Sequence, residues 1–242
     1  MKKRSITHKS YYIYGKHPFL AAIENPKRMI YEILITKENL SFIPEKLQNK
    51  IKILTNHELA QLLPKEAIHQ GFAALVSPLS NINLESFDFP DNAKIAILDQ
   101  VTDPHNLGAI LRSAAAFGIK AVIIPSDNSP EENAIIAKTS CGALEHIPIL
   151  RVTNISSAIQ FLKKNHFWVI GLDGNANQLL DKKLLSGKIC IILGAEGKGL
   201  RRLTKENCDI LAKIPMSNVM ESLNVSNAAV IAFYEAYLAN LE

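Results

Sequence analysis

Three clusters of polar side chains lie within the apolar second half of the chain. The first lies within residues 98–114 and includes Asp99, Asp103, Asn106 and Arg112. Arg112 lies among isoleucine, leucine and alanine neighbours, and an arginine buried in such surroundings needs a carboxylate or a phosphate as its partner. The cluster therefore has two interpretations, which are an anion-binding site and a structural salt bridge from Arg112 to Asp99 or Asp103.

The second cluster covers residues 193–200 and reads Leu-Gly-Ala-Glu-Gly-Lys-Gly-Leu. Three glycines within six residues allow the backbone to approach a flat ligand closely. Taken alone, such a segment is more typical of a tight turn that exposes its glutamate, Glu196.

The third cluster begins at Ile214 and Met216 and continues through residues 221–226, which read Glu-Ser-Leu-Asn-Val-Ser. Its two serines and its asparagine offer more polar groups than the capping of one helix requires. The backbone amides at the start of the following helix would also suit a carboxylate or a phosphate.

Apolar segments alternate with helical ones in this half of the chain and predict the elements that position the three clusters. The predicted strands cover residues 95–98, 121–124, 147–150, 168–172, 189–193 and 210–214. Continuous apolar strands of this kind predict a parallel sheet covered on both faces, which binds ligands at the carboxyl ends of its strands. A final helix is predicted over about residues 222–240, with Leu223, Ala229, Phe233 and Ala236 on its inward face.

The common ligand signatures of parallel-sheet proteins are missing. The turn after the first strand of this half has no glycine fingerprint for a dinucleotide, and Lys198 is followed by Gly199 instead of the serine or threonine of a phosphate-binding loop. The seven histidines show no metal-binding spacing. An NAD-dependent enzyme, a nucleotide hydrolase and a metal hydrolase are therefore disfavoured.

The first part of the chain predicts a smaller α/β domain over residues 12–78. Its predicted elements alternate between helix and strand, beginning with a helix, and cover residues 18–23, 30–35, 41–48, 51–54, 57–63 and 71–76. Residues 1–11 form a basic N-terminal tail, and residues 79–92, rich in proline and short polar side chains, are predicted to be a linker. The basic side chains gather in two places, Lys2, Lys3, Arg4, Lys9 and Lys16 in the first and Lys198, Arg201, Arg202 and Lys205 in the second. The two patches are either solvated surface or contacts for nucleic acid.

The overall composition is that of a globular protein. The 242 residues are 48% hydrophobic and 21% charged with a net charge of +4, and no apolar run has the length of a membrane helix. The basic N-terminus lacks the apolar core of a signal peptide, so we expect a cytoplasmic protein. Cys141, Cys190 and Cys208 are odd in number and show no paired spacing, which predicts reduced and mostly buried thiols.

Together the three clusters resemble the signature motifs of the SpoU (TrmH) family of RNA 2′-O-ribose methyltransferases, in the SPOUT superfamily. The resemblance covers residues 93–242, and residues 12–78 resemble the L30e-like RNA substrate-binding domain that many members carry. It implies an α/β fold with a parallel sheet and a deep trefoil knot, which no periodicity argument predicts. It also implies a homodimer that binds RNA and uses S-adenosylmethionine as co-substrate without a metal.

The resemblance also assigns roles to residues. Those expected to bind S-adenosylmethionine are Leu193, Gly194, Ile214, Met216, Ser222, Leu223 and Asn224. Those expected in the reaction are Asn106, Arg112, Glu196, Ser222 and Asn224, with Arg112 acting on the 2′-hydroxyl across a dimer interface. Because a free arginine stays protonated at neutral pH, stabilisation of negative charge is the simpler role for it. Relatives often have glycine where this chain has Asn218, which tolerates the same left-handed backbone.

The two-domain arrangement implies a guanosine ribose in 23S rRNA as the substrate. A tRNA guanosine methyltransferase and a resistance-conferring rRNA adenosine methyltransferase are the alternatives with the same chemistry. An RNA-binding ribosome-assembly factor that has lost catalysis is the alternative of a different class, and the presence of Arg112, Glu196 and Asn224 argues against it.

Overall fold

The computed structural model describes residues 10–217 and 219–241 and divides the chain into two compact units. The first unit contains the chain through Ser80 and the segment Glu131–Glu145. The second unit contains Asn81–Pro130 and the chain from His146 onward. Most of the predicted basic tail, through Lys9, and the unusual Asn218 lie outside the described residues.

The first unit is built on a mixed four-stranded sheet. Its elements are β1 (Tyr11–Tyr14), α1 (Lys16–Glu24), β2 (Ile30–Ile35), β3 (Ile51–Ile53), α2 (Asn56–Leu62) and β4 (Phe72–Val76). The strand order is β1-β4-β2-β3, with β4 antiparallel to both neighbours and β3 parallel to β2. The predicted strands are confirmed, but the helix predicted over residues 41–48 is wrong. Two short 3₁₀ turns flank Pro44 there, because proline lacks the N–H that a continuous helix needs.

The segment Glu131–Glu145 packs with the first unit although it lies far along the sequence, within the range predicted for the second domain. It contains α4 (Ala134–Thr139) and a 3₁₀ turn. The fully buried guanidinium of Arg28 pairs with Glu132 at 2.5 Å and with Glu145 at 2.6 Å, and the Tyr11 hydroxyl donates to Glu132. Two carboxylates around one buried arginine satisfy its charge and hold the segment in place.

The second unit is built on a parallel seven-stranded sheet. Its elements are β5 (Lys94–Asp99), α3 (Pro104–Ala116), β6 (Val122–Pro125), β7 (Ile149–Val152), α5 (Ile155–Lys164), β8 (Trp168–Leu172), β9 (Gln178–Leu179), β10 (Ile189–Gly194), α6 (Arg202–Asn207), β11 (Ile210–Lys213) and α7 (Val225–Leu238). The strand order is β7-β6-β5-β10-β8-β11-β9. Each predicted strand is confirmed within two residues, and only the two-residue β9 went unpredicted. The buried side chains of β5 and β10 form the centre of the core.

The segment predicted as a linker, residues 79–92, packs on the second unit for most of its length. Leu84 is buried, Phe87 and Phe89 contact the core, and Ile82 forms a β-bridge with Leu150. Apolar residues alternate here with the proline and polar residues that suggested a linker. The segment has no regular secondary structure for most of its length, but its apolar side chains are packed against the core of the second unit.

The closing helix α7 is anchored from inside the unit. Ala229, Phe233 and Ala236 are fully buried as predicted, whereas Leu223 precedes the helix, which begins at Val225. The buried Lys94 ammonium donates to the carbonyls of Ala236 and Leu185. Burial lowers the pKa of Lys94 to about 8, because the charged form has lost its hydration.

The cysteines follow the expectation in part. Cys190 is buried and Cys208 half-buried, whereas Cys141 is exposed, and all three are free thiols. In the part of the chain that the structure describes, no helix has both the length and the apolar character needed to span a membrane.

Candidate active site

A cavity of about 370 Å³ opens at the carboxyl edge of the parallel sheet. Three loops enclose it, and they follow the neighbouring strands β8, β10 and β11. The carboxyl ends of adjacent parallel strands meet at one edge, which explains why segments distant in sequence converge there. The start of α7 closes the remaining side through Val225 and Ala228.

The structure brings together most of the residues that the sequence motifs indicated. Those that line the cavity are Leu193, Gly194, Glu196, Ile214, Met216, Ser222 and Leu223. Asn224 lies beside it, where its amide donates to Glu196 at 3.1 Å and its Oδ1 accepts from the Ser226 N–H at 2.8 Å. The second and third clusters therefore form one site, and Asn224 joins them while it caps α7.

The glycine loop owes its shape to a close backbone approach. A Cβ on Gly194 would overlap with the backbone of Gly199 and Leu200. Gly197 and Gly199 both adopt left-handed conformations, and the Gly199 N–H donates to the Ala195 carbonyl at 2.8 Å. The loop therefore folds back on the end of β10, and only glycine fits at its base.

The loop after β8 supplies a wall of the cavity that the sequence analysis missed. Asp173, Gly174 and Asn175 line it, and Asp173 pairs with Lys205 at 2.5 Å. Burial alone would raise the pKa of Asp173, but hydrogen bonds from Lys205 and from the Asn175 N–H lower it. The signal was a short polar turn directly after a correctly predicted strand, the same signal that marked the other two loops.

Asp99 ends β5 as a fully buried carboxylate next to the cavity. It accepts from the Arg201 N–H at 3.1 Å, from Arg201 Nε at 2.6 Å and from the Thr204 hydroxyl at 2.7 Å. The proposed salt bridge from Arg112 to Asp99 is therefore wrong. Asp103 instead caps α3 by accepting from the His105 N–H.

Arg112 and Asn106 lie on α3 and do not line the cavity. The expectation of a buried Arg112 is wrong, because the helical period turns Ile110, Leu111 and Ala114 inward and leaves Arg112 exposed. No ion pair joins Arg112 to another residue within 10–217 and 219–241. Asn106 is half-buried in the first turn of α3, seven residues after the end of β5 at Asp99.

The other basic residues near the glycine loop are largely paired. Arg201 binds Asp99, Arg202 binds Glu206 at 2.6 Å, and Lys205 binds Asp173. Lys198 lines the cavity. Within the described residues no group of three or more histidine, cysteine or acidic side chains is placed to hold a metal ion.

Comparison with known sequences decides the family. The profile of the SpoU rRNA Methylase family matches residues 93–234, and the profile for RNA 2′-O ribose methyltransferase substrate binding matches residues 12–82. The first match covers more than half of the chain. This protein belongs to the SpoU rRNA methylase family.

Relatives of this SpoU protein match almost its entire length. The 23S rRNA (guanosine-2′-O-)-methyltransferase RlmB of Escherichia coli (strain K12) is 39% identical over 236 residues, which are 93% of this chain and 96% of the relative. The AdoMet-bound rRNA methyltransferase from Sinorhizobium meliloti matches with a TM-score of 0.82 at 20% identity and covers 97% of this chain and 89% of its own.

A second solved structure, the SpoU methyltransferase AviRb from Streptomyces viridochromogenes in complex with AdoMet, has a TM-score of 0.79 at 20% identity. The match covers 96% of this chain and 91% of the other. At such low identities the two structures establish the α/β fold with its parallel sheet.

Replacement of Gly194 by alanine should strongly weaken ligand binding in the cavity while leaving the sheet folded. The added methyl group would push the glycine loop away from the end of β10, and we expect affinity for S-adenosylmethionine to fall roughly 100-fold, equivalent to about 3 kcal/mol. Isothermal titration calorimetry measures the affinity. Gly187→Ala is the control, because Gly187 lies outside the cavity in a left-handed turn and a Cβ there meets no atom within 4 Å. Equal affinities of the two variants would contradict the assigned role of the glycine loop.

Proposed function

We propose that this protein methylates the 2′-hydroxyl of a guanosine ribose in 23S rRNA, with S-adenosylmethionine as the methyl donor and no metal. The observation that carries the proposal is the convergence of the second and third motifs around one cavity, in a chain 39% identical to an enzyme named for this reaction. The identity extends through both units of the chain, including the segment matched by the substrate-binding profile.

The cavity suits S-adenosylmethionine in chemistry. Leu193, Ile214 and Leu223 offer apolar surface for an adenine ring, and the glycine loop allows close backbone approach. Met216, Gly194, Ser222 and Asn224 complete the proposed binding set. The co-substrate, when bound, supplies an electrophilic methyl group on a sulfonium.

The protein's own task is to align the ribose hydroxyl and to stabilise the charge that develops on its oxygen. Glu196 and Asn224 already bind each other at the cavity rim, so we assign them, with Ser222, to positioning the acceptor ribose. Asn106, in the first turn of α3, is assigned to the same task. Arg112 is assigned to charge stabilisation at the 2′-oxygen or at the adjacent phosphate.

Arg112 does not line the cavity of its own chain, and a homodimer resolves this difficulty. The helix α7 packs on α3 and carries an exposed apolar stripe of Val230, Ile231, Tyr234 and Tyr237. Phe117, which follows α3, packs edge-on against Tyr234 with 5.6 Å between the ring centroids and extends this surface. We propose that two copies join through this surface on a two-fold axis and that each contributes Arg112 to the cavity of the other.

Three further assignments follow from the family. We propose that the chain after β11 passes through a trefoil knot, an assignment that rests on membership of the SpoU family alone. We assign residues 12–78 to RNA binding, as an L30e-like domain, and residues 93–242 to methyl transfer. Residues 79–92 connect the two domains in this assignment, and residues 1–11 are a basic tail. We also propose a cytoplasmic location, where unmodified rRNA is available.

Methyl transfer to purified RNA tests the proposal. Incubation with tritiated S-adenosylmethionine and unmodified 23S rRNA should label one guanosine, which sequencing sensitive to 2′-O-methylation locates. Total tRNA is the control substrate and should remain unlabelled. Label on tRNA alone or on an adenosine would keep the chemistry and overturn the substrate, and binding of the co-substrate without transfer to any RNA would favour an assembly factor.

Mixed dimers test whether Arg112 acts across the interface. Arg112→Ala and Gly194→Ala homodimers should each be inactive, because each lacks one part of the site. A heterodimer of the two contains one intact cavity facing one intact Arg112, so it should recover about half of the wild-type activity. Co-purification with two affinity tags isolates the heterodimer for the assay. An inactive heterodimer would place Arg112 in the site of its own chain, and full activity of the Arg112→Ala homodimer would remove it from the mechanism.

A further inference from the structure

A second cavity of about 370 Å³ opens at the same edge of the parallel sheet, at the ends of β5, β6 and β7. It is separate from the first cavity, and the two cavities share no lining residue. Its lining includes Arg201 and Arg202 together with the neutral polar residues Gln100, Asn128, Thr153 and Ser156. The segment that leaves the first cavity at Gly199 therefore enters the second at Arg201.

Arg201 is held in a fixed position at this cavity. Its Nε and its backbone N–H both donate to the buried carboxylate of Asp99, while its side chain remains 47% exposed. No other hydrogen bond of the guanidinium occurs within the described part of the chain. Its two terminal nitrogens therefore remain available, and a guanidinium fixed at one edge is preorganised to bind an anion at the other.

The start of helix α5 adds a second source of positive potential to the lining. Helix α5 is ten residues long, and the Asn154 side chain caps it by accepting from the Ser157 N–H. The amides of Ile155 and Ser156 belong to the first turn and have no partner within the helix. Because both residues line the cavity, the positive end of the helix dipole faces the same space as Arg201.

Asp127 also lines the cavity and is its one acidic residue among those described. A simple anion would be repelled by this carboxylate, whereas a ligand that combines a phosphate with hydroxyl or amino donors can satisfy both ends. A nucleotide has this combination, since its ribose and base carry donors beside the phosphate. The small number of apolar groups in the lining disfavours a lipid or an aromatic ligand.

We infer that the second cavity binds one nucleotide of the RNA strand adjacent to the methylated one, with its phosphate on Arg201 and the start of α5. The inference rests on the proposed function, because it continues the path of the RNA from the acceptor ribose at the first cavity. It assigns Arg201 and Ser156 to RNA binding, in positions that the three motifs do not include.

Two neighbouring serines provide the test. Ser156→Asp introduces an anion inside the cavity, whereas Ser157→Asp adds the same charge in the same helical turn on an exposed residue outside the lining. An acidic residue in the first turn of a helix does not destabilise it, so both variants should fold normally. We expect Ser156→Asp to weaken binding of an unmodified 23S rRNA fragment roughly 10-fold and Ser157→Asp to leave it near the wild-type value.

Fluorescence anisotropy measures RNA binding over a range of salt concentrations, and calorimetry measures binding of S-adenosylmethionine. Loss of one phosphate contact should make the slope of log affinity against log salt shallower by about one for Ser156→Asp, with unchanged affinity for the co-substrate. Equal RNA affinities and equal salt slopes of the two variants would overturn the inference. Failure of the proposed function gives a different result, since the wild-type protein would then methylate no RNA.

Discussion

A buried carboxylate, Asp99, fixes the arrangement of the second unit at the edge of its sheet where ligands are expected. It ends strand β5, directly beside Gly194 at the end of the central strand β10. The residues that follow the glycine loop donate hydrogen bonds to the Asp99 carboxylate from the Arg201 backbone N–H, the Arg201 guanidinium and the Thr204 hydroxyl. A charge buried in the core is tolerated only with such partners, so the loop closes in one conformation.

Both cavities depend on that closure. The glycine loop forms a wall of the first, and Arg201 forms a wall of the second. The proposed co-substrate pocket and the proposed RNA contact are both built on one short segment, which would suit alignment of the methyl donor with its acceptor. Such alignment accounts for much of the rate of a displacement reaction that needs neither metal nor covalent intermediate. Arg112 remains outside this segment, which is why the proposed mechanism requires a second copy of the chain.

The sequence predicted the parallel sheet and the convergence of two motifs because both follow from local patterns. Apolar strands such as β8 are visible in the residues themselves, and polar turns after parallel strands must share an edge. Other features depend on pairings across long stretches of chain. The burial of Arg28 against Glu132 and Glu145 joins residues more than 100 positions apart, and the partner of Asp99 proved to be Arg201 instead of Arg112. The helical period alone places Ile110, Leu111 and Ala114 on the inward face of α3 and Arg112 on its exposed face.

The central structural claim, that Asp99 organises both cavities, is tested most directly by the two ligand affinities of Asp99→Asn. Asparagine has nearly the same shape but turns an amide donor toward the Arg201 guanidinium, which releases the segment. We predict that affinities for S-adenosylmethionine and for a 23S rRNA fragment both fall about 10-fold, consistent with loss of a charge-assisted hydrogen bond. Phe167→Leu, a buried change outside both cavities, controls for lost stability. Unchanged affinity for both ligands in folded Asp99→Asn would contradict the account.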